Sequence, residues 1–234
     1  MIYSVLRSQI VRNLQNRDDA VTAALIMSTF NFVQKYLARE GDWDELQAVL
    51  TGRTLTRGVA SYTYMGALPA IPLPRFKKIY SFRVNAGTSW NPPLSFLTPL
   101  DYDIKVAPAS TSITGVPSIY TAFGGSFHLS PTPAAAYAFE IKFYQYPEVI
   151  TSDFSPITLT DIDQILVSAT TAYCLLALGE LQASNVWFQL ANRELKTWLG
   201  DTRHSFGFEP SLKALGGGAA AGQYWANPFV ARNP

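Results

Sequence analysis

The sequence predicts an α+β protein: a helical bundle built from N- and C-terminal helical hairpins, with an inserted antiparallel β-sandwich-like domain and an extended C-terminal tail. Apolar residues recur at helical spacing near both ends of the chain. The region between them is interrupted at short intervals by proline and glycine, which is typical of short strands. These patterns predict N-terminal helices at 1–50, a β-domain at 51–157, a helical hairpin at 158–200 that packs with 1–50, and an arm at 201–234.

The N-terminal region is predicted to form two helices. Leu6, Ile10 and Leu14 share one helical face, and the turn at 16–19 can supply an N-cap for a second helix. The apolar stripe of that second helix consists of Ala23, Ile26, Phe30, Val33 and Leu37. Gly41 is expected to end it as a C′ residue, the position after a helix that favours a left-handed backbone.

The central region is predicted to contain six short strands. They are Ser61–Met65, Lys78–Val84, Tyr102–Val106, Ser118–Phe123, Ser126–Leu129 and Tyr137–Tyr146. Gly124 and Gly125 separate two of them and indicate a two-residue hairpin turn. Frequent prolines exclude a long uninterrupted strand or helix here.

Helical spacing returns after this region. Thr160, in a Thr-x-x-Asp arrangement, is predicted to cap a helix that continues to Leu178. Gly179 interrupts the pattern, and a second apolar stripe then runs from Leu181 to Gly200.

The segment beyond Gly200 is rich in glycine and alanine and has too little side-chain surface to build a core. Large aromatic residues nevertheless punctuate it: Phe206, Phe208, Tyr224, Trp225 and Phe229. Aromatic side chains on a backbone that cannot fold alone favour docking onto another surface. We therefore expect these five residues to be docking anchors on a partner or a neighbouring subunit.

Composition excludes several classes of protein. Of the 234 residues, 48% are hydrophobic and 15% are charged, so the chain can bury a substantial core, and the net charge of +1 gives no overall attraction to nucleic acid or membrane. The N-terminus has no secretory leader pattern, and we expect a soluble, unprocessed protein. Cys174, the one cysteine, is expected to be buried and inert. With only His128 and His204 as imidazoles, neither metal, cofactor nor catalytic activity is expected.

Charged residues cluster in two ways. The acids Asp42, Asp44 and Glu45, and likewise Asp161 and Asp163, are interpreted as solvated first-turn acids rather than as a metal site. Bases exceed acids between residues 53 and 105, and the bases of interest are Arg53, Arg57, Arg75, Lys77, Lys78 and Arg83. They could form a solvated face, salt bridges between subunits, or a lining that meets DNA phosphates.

The order of several short motifs resembles the head-to-tail adaptor (connector, or head-completion) proteins of tailed bacteriophages. The motifs are Ser81-Phe82-Arg83-Val84, Leu100-Asp101-Tyr102-Asp103, Gly115-Val116-Pro117-Ser118-Ile119-Tyr120, His128-Leu129-Ser130-Pro131-Thr132-Pro133 with Tyr137, and Phe143-Tyr144-Gln145-Tyr146-Pro147. The resemblance covers about Ser4 to Gly200 and leaves the tail outside it.

This resemblance implies a structural virion protein at the head–tail interface, made in the host cytoplasm. It implies a dodecameric ring that joins the portal to downstream tail or neck proteins around a DNA channel, with non-specific contact to packaged DNA and no membrane partner. The alternative from the residues is a tail-associated carbohydrate- or receptor-binding β-domain. Trp90, Tyr62, Tyr64 and Tyr80 would be its stacking platforms.

Overall fold

The chain is a mixed α+β protein, as predicted. The computed structural model describes residues 1–64, 70–87, 89–106 and 113–201, with the backbone alone for 199–201. Its α-helices are α1 (Tyr3–Asn13), α2 (Ala20–Glu40), α3 (Pro99–Lys105), α4 (Asp163–Ala177) and α5 (Leu181–Asp201). Its strands are β1 (Gln47–Thr54), β2 (Ser61–Thr63), β3 (Phe76–Asn85), β4 (Ser95–Phe96), β5 (Thr114–Gly115), β6 (Ile119–Phe123), β7 (Ser126–Ser130), β8 (Thr132–Pro133) and β9 (Ala138–Gln145).

The strands of the described residues form two sheets and one short pair. One sheet has the order β1-β9-β3 and is antiparallel throughout. The other has the order β2-β7-β6-β4, in which the two-residue β4 pairs with β6 in parallel. Strands β5 and β8 also pair in parallel. The prediction of antiparallel pairing is therefore confirmed for the longer pairs and is wrong for the short β4–β6 and β5–β8 pairs.

Helix α4 is the centre of the helical core. Every residue from 165 to 175 is buried, so all faces of this stretch are covered. Helices α1, α2 and α5 pack around it. Tyr173 illustrates the packing, because its ring makes edge contacts with Phe32 of α2 at 5.3 Å and with Phe188 of α5 at 4.8 Å between centroids. Residues from both ends of the chain thus share one hydrophobic core.

A second core joins the two larger sheets. The ring centroid of Phe82 in β3 lies 5.8 Å from that of Phe139 in β9 and 6.4 Å from that of Phe127 in β7. All three rings are buried. Aromatic pairs at these separations add to the energy of area burial, so they hold the sheets together.

The end of α2 differs from the prediction for Gly41. At its start, Asp19 accepts hydrogen bonds from the backbone N–H groups of Val21 and Thr22, both at 3.0 Å, which confirms the predicted N-cap. At its end, Gly41 has an extended backbone with φ −128° rather than a left-handed one. Glycine suits this position for another reason, since a Cβ there would lie 3.0 Å from the indole ring of Trp43, which is a tight contact.

The predicted strand Tyr102–Val106 is wrong, because the structure forms α3 there. The backbone N–H of Asp101 donates to Thr98 Oγ1 at 3.2 Å, and the Thr98 hydroxyl donates to Asp101 Oδ2 at 2.7 Å. Pro99 occupies the first turn, where its missing N–H costs nothing. This capping outweighs the β preference of the aromatic and β-branched residues that follow.

The predicted cap of α4 is also wrong. The helix begins at Asp163, and the Thr160 hydroxyl donates to Glu45 Oε1 at 2.7 Å instead of capping the helix. The glycine turns are confirmed: Gly124 and Gly125 join β6 to β7 with positive φ, and Gly179 ends α4 with φ +82°.

Strand bounds shift modestly in the central region. Strand β1 was absent from the six predicted strands and begins at Gln47, inside the range assigned to the N-terminal helices. Strand β2 ends at Thr63, and Met65, the predicted end, lies outside the described residues.

Candidate assembly interface

Several surfaces of the chain leave large apolar side chains uncovered. One is an apolar patch on the outer face of α3, formed by Leu100 and Ile104, which are 70% and 63% exposed; Phe96 of β4, a few residues earlier in the chain, is 54% exposed. Tyr102 fixes the orientation of α3, because its hydroxyl donates to the Leu129 carbonyl at 3.2 Å. Leu100 and Ile104, spaced i and i+4, consequently point outward together. The i, i+4 spacing is present in the sequence, but it has no meaning for a strand, which is what was predicted at Tyr102–Val106.

A second uncovered group lies beside the N-terminus of α1. Phe154 is 82% exposed and stands next to Asp153 and Ser155, whose carbonyls accept hydrogen bonds from Ser4 and Tyr3 at 3.0 Å. These two bonds satisfy N–H groups at the start of α1, which has no side-chain cap. Nothing in the local sequence pattern singled out Phe154.

Helices α2 and α4 border a shallow cavity of about 500 Å³. Its lining residues are Ser28, Thr29, Phe32, Tyr173, Leu176 and Ala177. Phe32 is partly exposed at its edge. Three of these six residues carry a hydroxyl group and none is charged, so the lining is uncharged and mixes hydroxyl, aromatic and aliphatic groups.

Three of the six candidate bases form ion pairs within the subunit. Arg75 pairs with Glu148 at 3.1 Å, while Lys77 and Lys78 both pair with Asp42. Burial lowers the pKa of Lys77, against the opposing effect of Asp42. These pairs connect β3 and the residues just before it to segments that flank the helical core.

The other three candidate bases differ in their surroundings. Arg53 and Arg57 are exposed, and neither forms an ion pair with another described residue. Arg53 borders a cavity of about 570 Å³ together with Thr54 and Thr56. Arg83 is half-buried on β3, and its Nε has no hydrogen-bond partner among the described residues. Arg53 and Arg57 are therefore the bases of this set best placed to meet an external anion.

The acids after Gly41 are not simply solvated. Burial raises the pKa of Asp42, but hydrogen bonds from Lys78 and Lys77 outweigh this effect and leave that pKa below its usual range. Glu45 Oε1 accepts hydrogen bonds from the Thr160 hydroxyl and from the backbone N–H groups of Thr160 and Asp161, at 2.7 to 3.1 Å. Both acids bind segments distant in the sequence.

The four aromatic residues proposed as sugar platforms are not equivalent. Tyr62 is buried, with its hydroxyl bonded to the backbone of Thr56, and Tyr64 packs against core rings. Tyr80 and Trp90 are exposed. Two of the four platforms thus belong to the core, which removes half of the proposed sugar-binding surface.

Residues with catalytic potential are few in the described part of the chain. Cys174 is buried as predicted, and burial raises the pKa of its thiol to about 11. His128 lies on β7 with its ring 6.5 Å from that of Tyr102. Within the described ranges, no cluster of three or more His, Cys, Asp or Glu residues could hold a metal ion. The helices described include none with the length and apolarity to span a membrane.

The predicted docking residues of the tail lie outside the described residues. They are Phe206, Phe208, Tyr224, Trp225 and Phe229. His204 lies outside as well. Their roles stay predictions.

Comparison with known proteins assigns the family. A search of curated proteins finds no match. The sequence profile of the SU10 adaptor proteins, by contrast, matches residues 1–207. This match covers most of the chain and agrees with the phage-adaptor resemblance of the motifs. The chain belongs to the SU10 adaptor protein family, a family of structural phage adaptors and not of enzymes, which makes it a virion component.

Proposed function

We propose that this protein forms a ring, dodecameric to match the portal, that joins the portal to downstream tail or neck proteins and surrounds the DNA channel. The observation that carries the proposal is the apolar patch of Leu100 and Ile104 on the outer face of α3. Large apolar side chains held outward by a capped helix are unfavourably exposed to water, and burial against a partner lowers the free energy. An assembly protein has such partners, and an isolated monomer does not.

We further propose that the subunit is divided as the sequence suggests. Residues 1–50 and 158–200 would form a helical bundle that makes side-by-side contacts in the ring, and residues 51–157 an inserted β-sandwich-like domain. The shared helical core and the separate aromatic core of the sheets support this division. The arm at 201–234 would clasp the portal or a neighbouring subunit through its aromatic residues.

The contact with DNA is proposed to be non-specific and to involve Arg53 and Arg57. Because Arg75, Lys77 and Lys78 are already paired with acids, they have less charge to offer a phosphate. The double variant R53A/R57A should bind double-stranded DNA with a salt dependence reduced by about two phosphate contacts. K105A, which removes another exposed base, is the control, and an equal reduction in both variants would contradict this assignment.

The assembly role predicts a defect in the double variant L100S/I104S. The side chains are exposed, so the variant should fold and melt like the wild type. Its incorporation into portal-bearing particles should fall by at least about tenfold, because buried apolar anchors dominate interface energy. Particle-bound protein is quantified by immunoblot or mass spectrometry.

The control is F123S, which removes one exposed apolar side chain at the end of β6, outside the proposed helical bundle. Normal incorporation of L100S/I104S would show that the patch carries no assembly contact. Particles that lack the protein but still retain DNA and acquire tails would contradict the proposed function as a whole. So would turnover of a small substrate by the purified protein.

A further inference from the structure

We infer that the cavity beside Arg53, at the end of β1, binds one unpaired nucleotide, with the phosphate at its rim and the base inside it. This inference deepens the proposed contact with DNA and rests on it for the source of the nucleotide. It adds a ligand class, because intact duplex DNA offers a protein surface its phosphates, whereas this cavity also has space for a base.

A β-bulge in β1 directs Arg53 towards the cavity. Leu50 pairs with Ile141 of β9, and strict alternation would then put Gly52 opposite Phe139. The register instead shifts between Leu50 and Arg53, where Gly52 has φ +72°, and Arg53 pairs with Phe139. Paired residues of an antiparallel ladder share a face, and Phe139 belongs to the core between the sheets. The bulge thus turns Arg53 from the outer face of the sheet to the inner one.

The cavity has the size and the apolar floor that a base requires. Its volume of about 570 Å³ lies within the range of about 300–1,000 Å³ that is typical of small-ligand sites. The buried residues Tyr62, Ile71 and Phe139 form its floor. The Tyr62 ring is fixed in place, because its hydroxyl accepts from Thr56 N at 2.7 Å and donates to the Thr56 carbonyl at 3.2 Å.

The rim of the cavity carries donors that the described part of the subunit does not use. Arg53 borders the cavity and forms no ion pair within the described ranges. The side-chain hydroxyls of Thr54 and Thr56 likewise have no hydrogen-bond partner among those residues. Guanidinium and hydroxyl groups are common donors to phosphate oxygens, and a guanidinium can bind two oxygens at once. The rim is therefore suited to a phosphate.

The sequence around the cavity contains no acid that could neutralise this rim. Neither 46–100 nor 104–139 includes an Asp or Glu, and these ranges contain every described residue that borders the cavity. The two acids between the ranges, Asp101 and Asp103, lie on α3. That helix contacts His128 on the face of β7 that points away from the core of the sheets. These two acids are thus on the other side of the sheet from the cavity floor.

Glu140 is the remaining acid that is close in sequence. It follows Phe139 but lies on the opposite face of β9, where its carboxylate is 3.8 Å from Lys142 Nζ. Arg53 and the exposed Arg57 therefore keep their positive charge available to an external anion. A carboxylate would satisfy that charge and leave the apolar floor uncovered, whereas a nucleotide fits both parts of the cavity.

Binding of fluorescent oligothymidylate to the full-length protein, followed by anisotropy, tests the inference, with duplex DNA of equal length as the reference. Ala70 is half-buried at the border of the cavity, so A70W fills the space without changing charge. A70W should bind oligothymidylate about tenfold more weakly, because the base loses its contacts, and bind the duplex as the wild type does. A24W, on the exposed face of α2, is the matched control and should bind both like the wild type.

Two further measurements examine the rim. T54V/T56V changes exposed side chains only, so it tests the site independently of whether A70W folds, and it should also weaken oligothymidylate binding. R53A should weaken binding of both DNA forms, because it removes a phosphate contact. Thymidine monophosphate should displace oligothymidylate at lower concentration than inorganic phosphate does, since only the nucleotide reaches the floor.

Unchanged oligothymidylate binding in A70W and T54V/T56V would overturn the inference. A polyglutamate peptide that competes as well as thymidine monophosphate would also overturn it, by assigning the cavity to an acidic protein segment. Duplex binding without oligothymidylate binding by the wild type would sink the inference and leave the proposed DNA contact intact. Oligothymidylate binding that A70W removes, with no duplex binding at all, would instead refute the proposed contact with duplex DNA.

Discussion

At the residue scale, Gly41 shows how a small side chain can be required by a neighbour rather than by its own backbone. The indole N–H of Trp43 donates to the Leu37 carbonyl at 2.8 Å, and its ring lies 4.6 Å from that of Trp198 between centroids. The indole is therefore held from two sides, so a shift away from position 41 would disturb both of these contacts. The Trp43 side chain thus contacts both the end of α2 and α5, and it packs directly against Gly41.

G41A is expected to destabilise the protein by about 1–3 kcal/mol, because the new Cβ would overpack against the Trp43 ring. G87A is the matched control, since a Cβ there would meet nothing within 4 Å. Urea unfolding at neutral pH measures both changes. Equal stability of the two variants would show that the indole yields without cost.

At the scale of elements, local signals were sufficient where the stabilising partner is near in sequence. The turn at 16–19 and the apolar stripe after it predicted α2, and Gly124-Gly125 predicted the β6–β7 turn. The pattern Thr98-Pro99-x-Asp101 also indicates the start of α3, but the aromatic and β-branched residues that follow favour a strand at Tyr102–Val106. By contrast, Thr160 binds Glu45, 115 residues away, and no local pattern could reveal that partner.

The ion pairs of Asp42 predict a pH dependence. Its folded pKa lies below the ordinary value of about 3.9, so these pairs stabilise the fold above that pH and are lost as the pH falls through the lowered pKa. D42N should therefore be less stable than the wild type at pH 7, with the difference closing below about pH 4. Urea unfolding across this range tests it, with D103N, at an exposed acid of α3, as the control. A difference independent of pH would contradict the assignment.

At the scale of the whole molecule, the sequence predicted the α+β class and the family but not where the surface is apolar. Phe154, Leu100 and Ile104 look like core residues in the sequence, and only the packing of the loop and of Tyr102 turns them outward. Counting bases likewise suggested one cationic face, whereas folding brings Asp42 to two of those bases. Burial and pairing across long sequence separations decide which residues remain available to a partner.

Deletion of residues 202–234 tests the predicted arm. The described residues of the helical core extend to Trp198, which the deletion keeps, so the truncated chain should retain the melting temperature of the wild type. Its retention on portal in a pull-down should fall, because the five aromatic anchors of the arm are removed. A variant with these five residues changed to serine separates the loss of the anchors from the loss of chain length. Equal retention of all three proteins would remove the arm from the portal contact.

The enclosed position of α4 has a consequence for biosynthesis. This helix is covered by α1 and α2, which precede it in the chain, and by α5, which follows it. The strands of the sheets, which lie between α2 and α4 in the chain, can pair during translation before α5 has been made. A nascent chain in which α5 has not yet been made therefore leaves one face of α4 uncovered, and a product that stops before α5 lacks a finished helical core.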